Sequence, residues 1–255
     1  MAYNVKKIEY LDGIQYRIYD NPITVKEYMS GEKGKIQSDR IDKKIKGHVK
    51  TPWGPYADEV DTIELLTLDE LLARKKRSVV SATNRAKSMV FDYARSNVWD
   101  YFITLTFDIK KVDRYDYKSC SKAVRQWLNN IKKKYAPDLK YLLVPEMHTL
   151  KEHEERRAFH FHGLLANTGS IKFTRATNKH TGKPLFTKNG IEIYNFQGYK
   201  LGFSTATPIK DNARVSSYMT KYITKDLTMH THGFRRYYPS CNLDLPRKIM
   251  LLFNK

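Results

Sequence analysis

An α+β domain, with a mainly antiparallel sheet flanked by helices, is the fold class this chain predicts. Three observations carry that reading: an opening β-hairpin pattern, a run of strand, helix, strand, strand and helix rather than strict strand–helix alternation, and two neighbouring strands joined only by a charged turn. The helices are expected on one side of the sheet. No sequence repeat is evident.

Each element has a local cause. In residues 4–20 the runs KKIEYL and IQYRIY flank Asp12-Gly13, a pair that accepts the positive φ values of a tight hairpin turn. Residues 30–55 are rich in Lys and Gly with little periodicity and read as a mobile basic connector or a DNA-contacting loop. Thr67 to Glu70 form a capping box, in which the threonine oxygen bonds the third helical N–H and Glu70 reaches back. A long helix should follow to about Asn97. The alternating, β-branched and aromatic run WDYFITLTFD (99–108) predicts a buried strand, and Ala123, Val124, Trp127, Leu128 and Ile131 mark a helix over 115–135. Strands at 140–146 and 158–166 pair antiparallel across the turn at 151–157. Residues 168–208, with Gly182, Gly190, Gly198 and Gly202, read as an irregular β insertion, followed by a helix over about 211–226 and a last strand with an extended tail. The expected division is a β-hairpin and connector in residues 1–65 and a second domain in 66–255.

Forty-six Lys and Arg against 27 Asp and Glu give a formal charge of +19, which favours a polyanionic partner such as nucleic acid. Eighteen tyrosines supply rings on which unpaired bases can stack, although most are ordinary half-buried strand residues. Cys120 and Cys241 are far apart and outside any CxxC pattern, so neither a disulfide framework nor a zinc finger is indicated and a reducing cytoplasm is the expected setting. No apolar run has transmembrane length, and the first residues lack the apolar core of a secretory signal, so no membrane partner is expected.

Two short segments carry chemistry. His160 and His162 alternate on a strand and so present two imidazoles on one face while Phe161 turns to the core. Glu146, at the end of the preceding strand, is the expected third ligand, and a His/His/carboxylate set with open positions suits Mg²⁺ or Mn²⁺ rather than structural zinc. His148 is an alternative ligand if the strand continues that far, and otherwise supports the set or contacts DNA, whereas His153, His180, His230 and His232 have no comparable arrangement. Tyr218 and Tyr222 lie one helical turn apart, so on one helix both phenols share a face, with Lys221 and Lys225 offset by three residues. Such a stripe suits a phosphate better than a core. Arg74, Arg77, Arg85 and Lys87 on the long helix, together with Arg214, Arg235 and Arg236, are candidate DNA contacts.

FITLTFD (102–108), FHFHGLL (159–165) and YMTKYITKD (218–226), in that order, resemble the three motifs of the HUH endonuclease superfamily. The resemblance covers roughly residues 99–245 and is closest to rolling-circle replication initiators of single-stranded DNA phages and small plasmids, in their two-tyrosine form. It implies a ferredoxin-like or RRM-like antiparallel sheet with His160 and His162 as metal ligands. It also implies tyrosine attack on single-stranded origin DNA or a hairpin, a 5′-phosphotyrosine and a free 3′-OH, with Tyr218 and Tyr222 as nucleophiles. A bacterial cytoplasm is the implied setting. The chain has no GxxxxGK[ST] sequence, so a host helicase would unwind the duplex and a host polymerase extend the 3′-OH. The rival readings are a relaxase or transposase of the same superfamily and a non-catalytic nucleic-acid-binding module.

Overall fold

The computed structural model describes residues 2–24, 68–150, 155–178, 180–231 and 234–252. The described residues fall into two compact units: a smaller one drawn from residues 2–9, 13–24, 68–72 and 247–252, and a larger one drawn from the described residues of 10–12 and 73–246. The basic connector, Thr67 of the capping box and most of the 151–157 turn lie outside the described residues.

In the smaller unit, β1 (Ala2–Tyr10), β2 (Gly13–Thr24) and β10 (Arg247–Leu251) form an antiparallel sheet in the order β10-β1-β2. The hairpin is where the sequence predicts it. Its turn residues are Leu11 and Asp12, however, and of the Asp12-Gly13 pair only Gly13 takes a positive φ. The last strand pairs with the first, from Val5 opposite Leu251 to Glu9 opposite Arg247.

The larger unit is built on a seven-stranded antiparallel sheet. Its strands are β3 (Tyr101–Leu105), β4 (Lys140–Met147), β5 (Phe159–Ala166), β6 (Phe173–Arg175), β7 (Tyr194–Phe196), β8 (Ser204–Pro208) and β9 (Tyr238–Pro239). The order is β6-β7-β8-β3-β5-β4-β9. The α+β class is therefore the observed one. The region expected to be an irregular insertion ends in β8, which lies directly beside β3.

Period-two alternation gives the sheet two distinct faces. Ile103, Leu105, Phe161, Leu165 and Leu143 lie on one, and are fully buried or nearly so. Helix α2 (Tyr117–Tyr135) covers it through Val124, Trp127, Leu128 and Ile131, and begins at Asp116, whose carboxylate accepts from the N–H groups of Lys118 and Ser119. The other face carries Phe102, Thr104, His160 and His162. Helix α3 (Asn212–Met219) and the 3₁₀ turn Thr220–Tyr222 set Tyr218 and Tyr222 over it, so helices lie on both sides of the sheet rather than on the one expected. The long helix α1 (Leu68–Arg95) ends close to its predicted limit, and α4 (Lys225–His230) is tied to it by a 2.9 Å hydrogen bond between Thr83 and Thr228.

One glycine marks where two stretches of backbone must nearly touch. A Cβ on Gly202 would sit 2.2 Å from the carbonyl oxygen of Thr106 and 2.8 Å from the amide nitrogen of Asp108. These are the backbone groups flanked by the bonds from Thr106 to Phe203 and from Asp108 to Leu201. Gly202→Ala should therefore lower stability by about 1–3 kcal/mol through overpacking against rigid backbone. Urea unfolding followed by circular dichroism checks this; an unshifted midpoint would show that the two segments separate without cost.

Candidate active site

Strand register assembles the first half of the site. Glu146 on β4 lies opposite His160 on β5, and Thr104 on β3 lies opposite His162. Directly opposed side chains share a face, so all four converge on the side away from α2. Glu146 Oε2 is 2.8 Å from His160 Nε2 and 2.8 Å from His162 Nε2, and the two imidazole nitrogens are 2.8 Å from each other. Three lone-pair atoms this close repel one another unless a proton or a cation lies among them. An octahedral ion with bonds of about 2.1 Å sets adjacent donors about 3 Å apart, so the donor set and its spacing fit a divalent cation. Glu146, His160 and His162 could hold a metal ion.

The protonation states agree with that use. Burial pushes the Glu146 carboxyl up, but hydrogen bonds from His160 and His162 outweigh it and bring the group down to about 2. Burial drives His162 below the usual histidine range, against the opposing pull of Glu146, so its imidazole is neutral near pH 7. Thr104 Oγ1 is 3.0 Å from His162 Nδ1 and leaves Nε2 directed at the cluster. His160 Nδ1 is buried with no hydrogen-bond partner among the described residues. The ring of His148, just past the end of β4, lies 4.0 Å from that of His160.

The tyrosines form the second half, and here the structure corrects the sequence reading. No single helix spans 211–226. The α-helix stops at Met219, the 3₁₀ turn carries Lys221 and Tyr222, and Ile223 leaves helical geometry at φ −84° and ψ 91°. Thr224 then caps a new helix by accepting from the Leu227 N–H at 3.0 Å. The two phenols are consequently neighbours in unlike settings, with rings edge to face at 5.4 Å. Tyr222 is 7% exposed and stacks on His162, ring centres 3.9 Å apart and planes 17° apart. Tyr218 is 43% exposed, with Lys221 Nζ 4.9 Å from its ring centre. Burial, reinforced by a hydrogen bond with Tyr218, holds the Tyr222 phenol well above the ordinary tyrosine range. Phe102 lies under both tyrosines and His162, with ring centres at 5.6–6.4 Å.

Residues 100–227, half of the chain, match the replication-associated protein ORF2 family. The chain belongs to that family. Membership supports a role as a replication initiator, and the matched segment runs from the start of β3 into α4, enclosing every residue of the site just described. Comparison with curated proteins and with solved structures returns no match. Among the described residues of this ORF2-family protein, no helix is long and apolar enough to cross a membrane.

The other candidates are not drawn into the cluster. Lys225 is exposed at the start of α4, beyond the break that ends the 3₁₀ turn. Arg74, Arg77, Arg85 and Lys87 are all exposed on α1; at about 100° per residue the three arginines share one side, and Lys87 projects from another. Arg214 and Arg235 are exposed, whereas Arg236 is partly buried with Nε unpaired. His180 and His230 are exposed, and His153 and His232 lie outside the described residues. Two residues that sequence reasoning did not single out belong to the site: Phe102 and Thr104. Their signal was available, because alternate positions on the strand beside HxH share its face. Thr104→Val removes the hydroxyl that orients His162 at nearly constant volume. It should weaken uptake of a divalent ion about 10- to 100-fold, as measured by titration calorimetry with Mn²⁺; an unchanged affinity would show that the hydroxyl does not orient the ligand.

Proposed function

We propose that this protein is a rolling-circle replication initiator that nicks and rejoins single-stranded origin DNA through a 5′-phosphotyrosine, with Tyr218 as the first nucleophile. One juxtaposition carries the reading: an exposed phenol packed edge-on against Tyr222, which itself stacks on a member of the Glu146–His160–His162 group. A generic basic binding module needs no such convergence of donors beside paired phenols.

The chemistry balances with these residues. Tyr218 Oη attacks phosphorus and loses its proton to solvent, the P–O3′ bond breaks, and the departing 3′ oxygen takes up a proton to become a hydroxyl. The phosphotyrosine keeps the energy of the diester, so a 3′-OH can later attack it, restoring the DNA bond and the phenol. Mg²⁺ or Mn²⁺ held by Glu146, His160 and His162 would supply Lewis-acid stabilisation of charge on the phosphate oxygens. Lys221 sets a cation beside the attacking phenol, where charge on the transferring phosphate also gathers. Tyr222, buried and protonated against His162, is reserved for the second transfer, which requires its ring to leave the stack. Extension of the 3′-OH and unwinding fall to a polymerase and a helicase of the host.

Labelled single-stranded DNA carrying the replicon's own origin, incubated with Mn²⁺ or with EDTA and resolved on a denaturing gel, tests the reading. A covalent adduct that maps to Tyr218, disappears with EDTA or in Tyr218→Phe, and persists in Tyr222→Phe is expected. His162→Ala should slow cleavage by about 10²–10³-fold. Binding without an adduct under every condition would leave only a nucleic-acid-binding module, and an adduct retained in the Tyr218→Phe/Tyr222→Phe variant would remove the tyrosines from the chemistry.

A further inference from the structure

We propose that the α2 side of the large sheet carries a second DNA site, a groove that holds the phosphodiester backbone of a stretch of DNA that the tyrosine face does not hold. The groove has a volume of about 810 Å³ and runs between α2 and the segments around residues 170–172 and 196–201. Lys111, Lys134, Lys172 and Lys200 line it, all four are exposed, and among the described residues no Asp or Glu takes part in the lining. Four ammonium groups around one concavity, with no acid to neutralise them, focus a positive field that a chain of phosphates satisfies.

The groove is built on rigid ground. Its floor contains Trp127, Ile131 and Phe196, all buried. The Trp127 indole N–H donates to the Gly198 carbonyl at 3.0 Å, and its ring meets Phe196 and Tyr199 edge to face at 5.3 and 5.1 Å. Lys111 Nζ donates to the Lys200 carbonyl at 2.8 Å and ties one rim together. Because the Trp127 and Phe196 rings are committed to the floor, they offer no platform for stacked bases. Lysines act as point charges without the forked geometry that reads a base edge. The four lysines therefore hold backbone, independent of sequence.

Its position decides which DNA it holds. Phe196, Trp127 and Ile131 belong to the layer on the Ile103–Leu143–Phe161 face, whereas the Glu/His/His group and the tyrosines occupy the reverse. The sheet stands between the two, so nucleotides at the tyrosines cannot lie in the groove. The occupant is a flanking segment of the same molecule or its displaced strand. The inference rests on the reading that the protein handles DNA, but not on the nicking chemistry.

Salt dependence of binding provides the test. Fluorescence anisotropy with an oligonucleotide that carries the single-stranded site between duplex arms is measured from 50 to 200 mM salt for wild type and for Lys134→Gln/Lys172→Gln. Loss of two phosphate contacts should reduce the slope of log K against log salt by roughly 1.4–1.8, equally with an unrelated sequence in the arms, while cleavage of a short single-stranded substrate is unchanged. Unaltered thermal melting shows that the variant is folded. An unchanged slope overturns the groove as a DNA site, and so does competition by a free nucleoside triphosphate without any effect of the substitutions on polynucleotide binding. If wild type binds no DNA at all, it is the proposed function that fails.

Discussion

The register of β5 against its two neighbours is the constraint on which the site depends. His160 and His162 reach the tyrosine face only because Phe161 and Leu165 are directed at α2, and a slip of one residue would exchange the two sets. What prevents the slip is the apolar layer. Ile103, Leu105, Phe161, Leu165 and Leu143 are fully buried or nearly so, and each such side chain contributes about 1.5–3 kcal/mol by leaving water. Gly163 adds a further lock, since a Cβ there would lie 2.0 Å from Leu143 Cδ2 and 3.0 Å from the Leu142 carbonyl. The strand thus leaves a gap at its centre that its neighbour's side chain fills. A polar triad that is costly to bury is held in place by hydrophobic contacts on the opposite side of the same three strands.

The interruption after the 3₁₀ turn has an equally local origin and a larger consequence. Ile223 is fully buried and extended, and Thr224 begins a new helix whose first turn contains Asp226, so the chain changes direction to bury Ile223 and Leu227 together. An unbroken helix would have given two equivalent phenols. The tighter 3₁₀ turn instead rotates Tyr222 inward on to His162 and leaves Tyr218 outward. The proposed order of transfer draws on that inequality, because the buried phenol is coupled through its stack to the same imidazole that faces Glu146.

Much of this was legible in the sequence, where local chemistry suffices. The hairpin around Asp12-Gly13, the Asp116-capped helix α2 and the alternation of HxH depend on contacts within a few residues, and they appear where patterning puts them. The break at Ile223 was hidden because Tyr-Met-Thr-Lys-Tyr keeps helical spacing. The competing signal, Thr224 followed by Asp226, is a short N-cap that a longer periodic pattern masks. The pairing of β10 with β1 and the place of β8 beside β3 join segments about 240 and 100 residues apart, and no local propensity records such a choice. Thr104 is legible only through alternation on the strand beside HxH, because its role is defined by a cross-strand partner rather than by its own neighbours in sequence.

A sheet with helices on both faces also explains how a strongly basic chain can keep its charges from acting as one undifferentiated patch. On the tyrosine face Lys221 sets its ammonium over the Tyr218 ring, beside the proposed reacting groups. The α2 side gathers four lysines over a floor of buried Trp127, Ile131 and Phe196. On the proposed reading, charge placed on the far side of the sheet raises affinity for the whole DNA without stabilising the scissile phosphate in its ground state. On that reading, binding strength and transition-state recognition fall to opposite faces of one sheet.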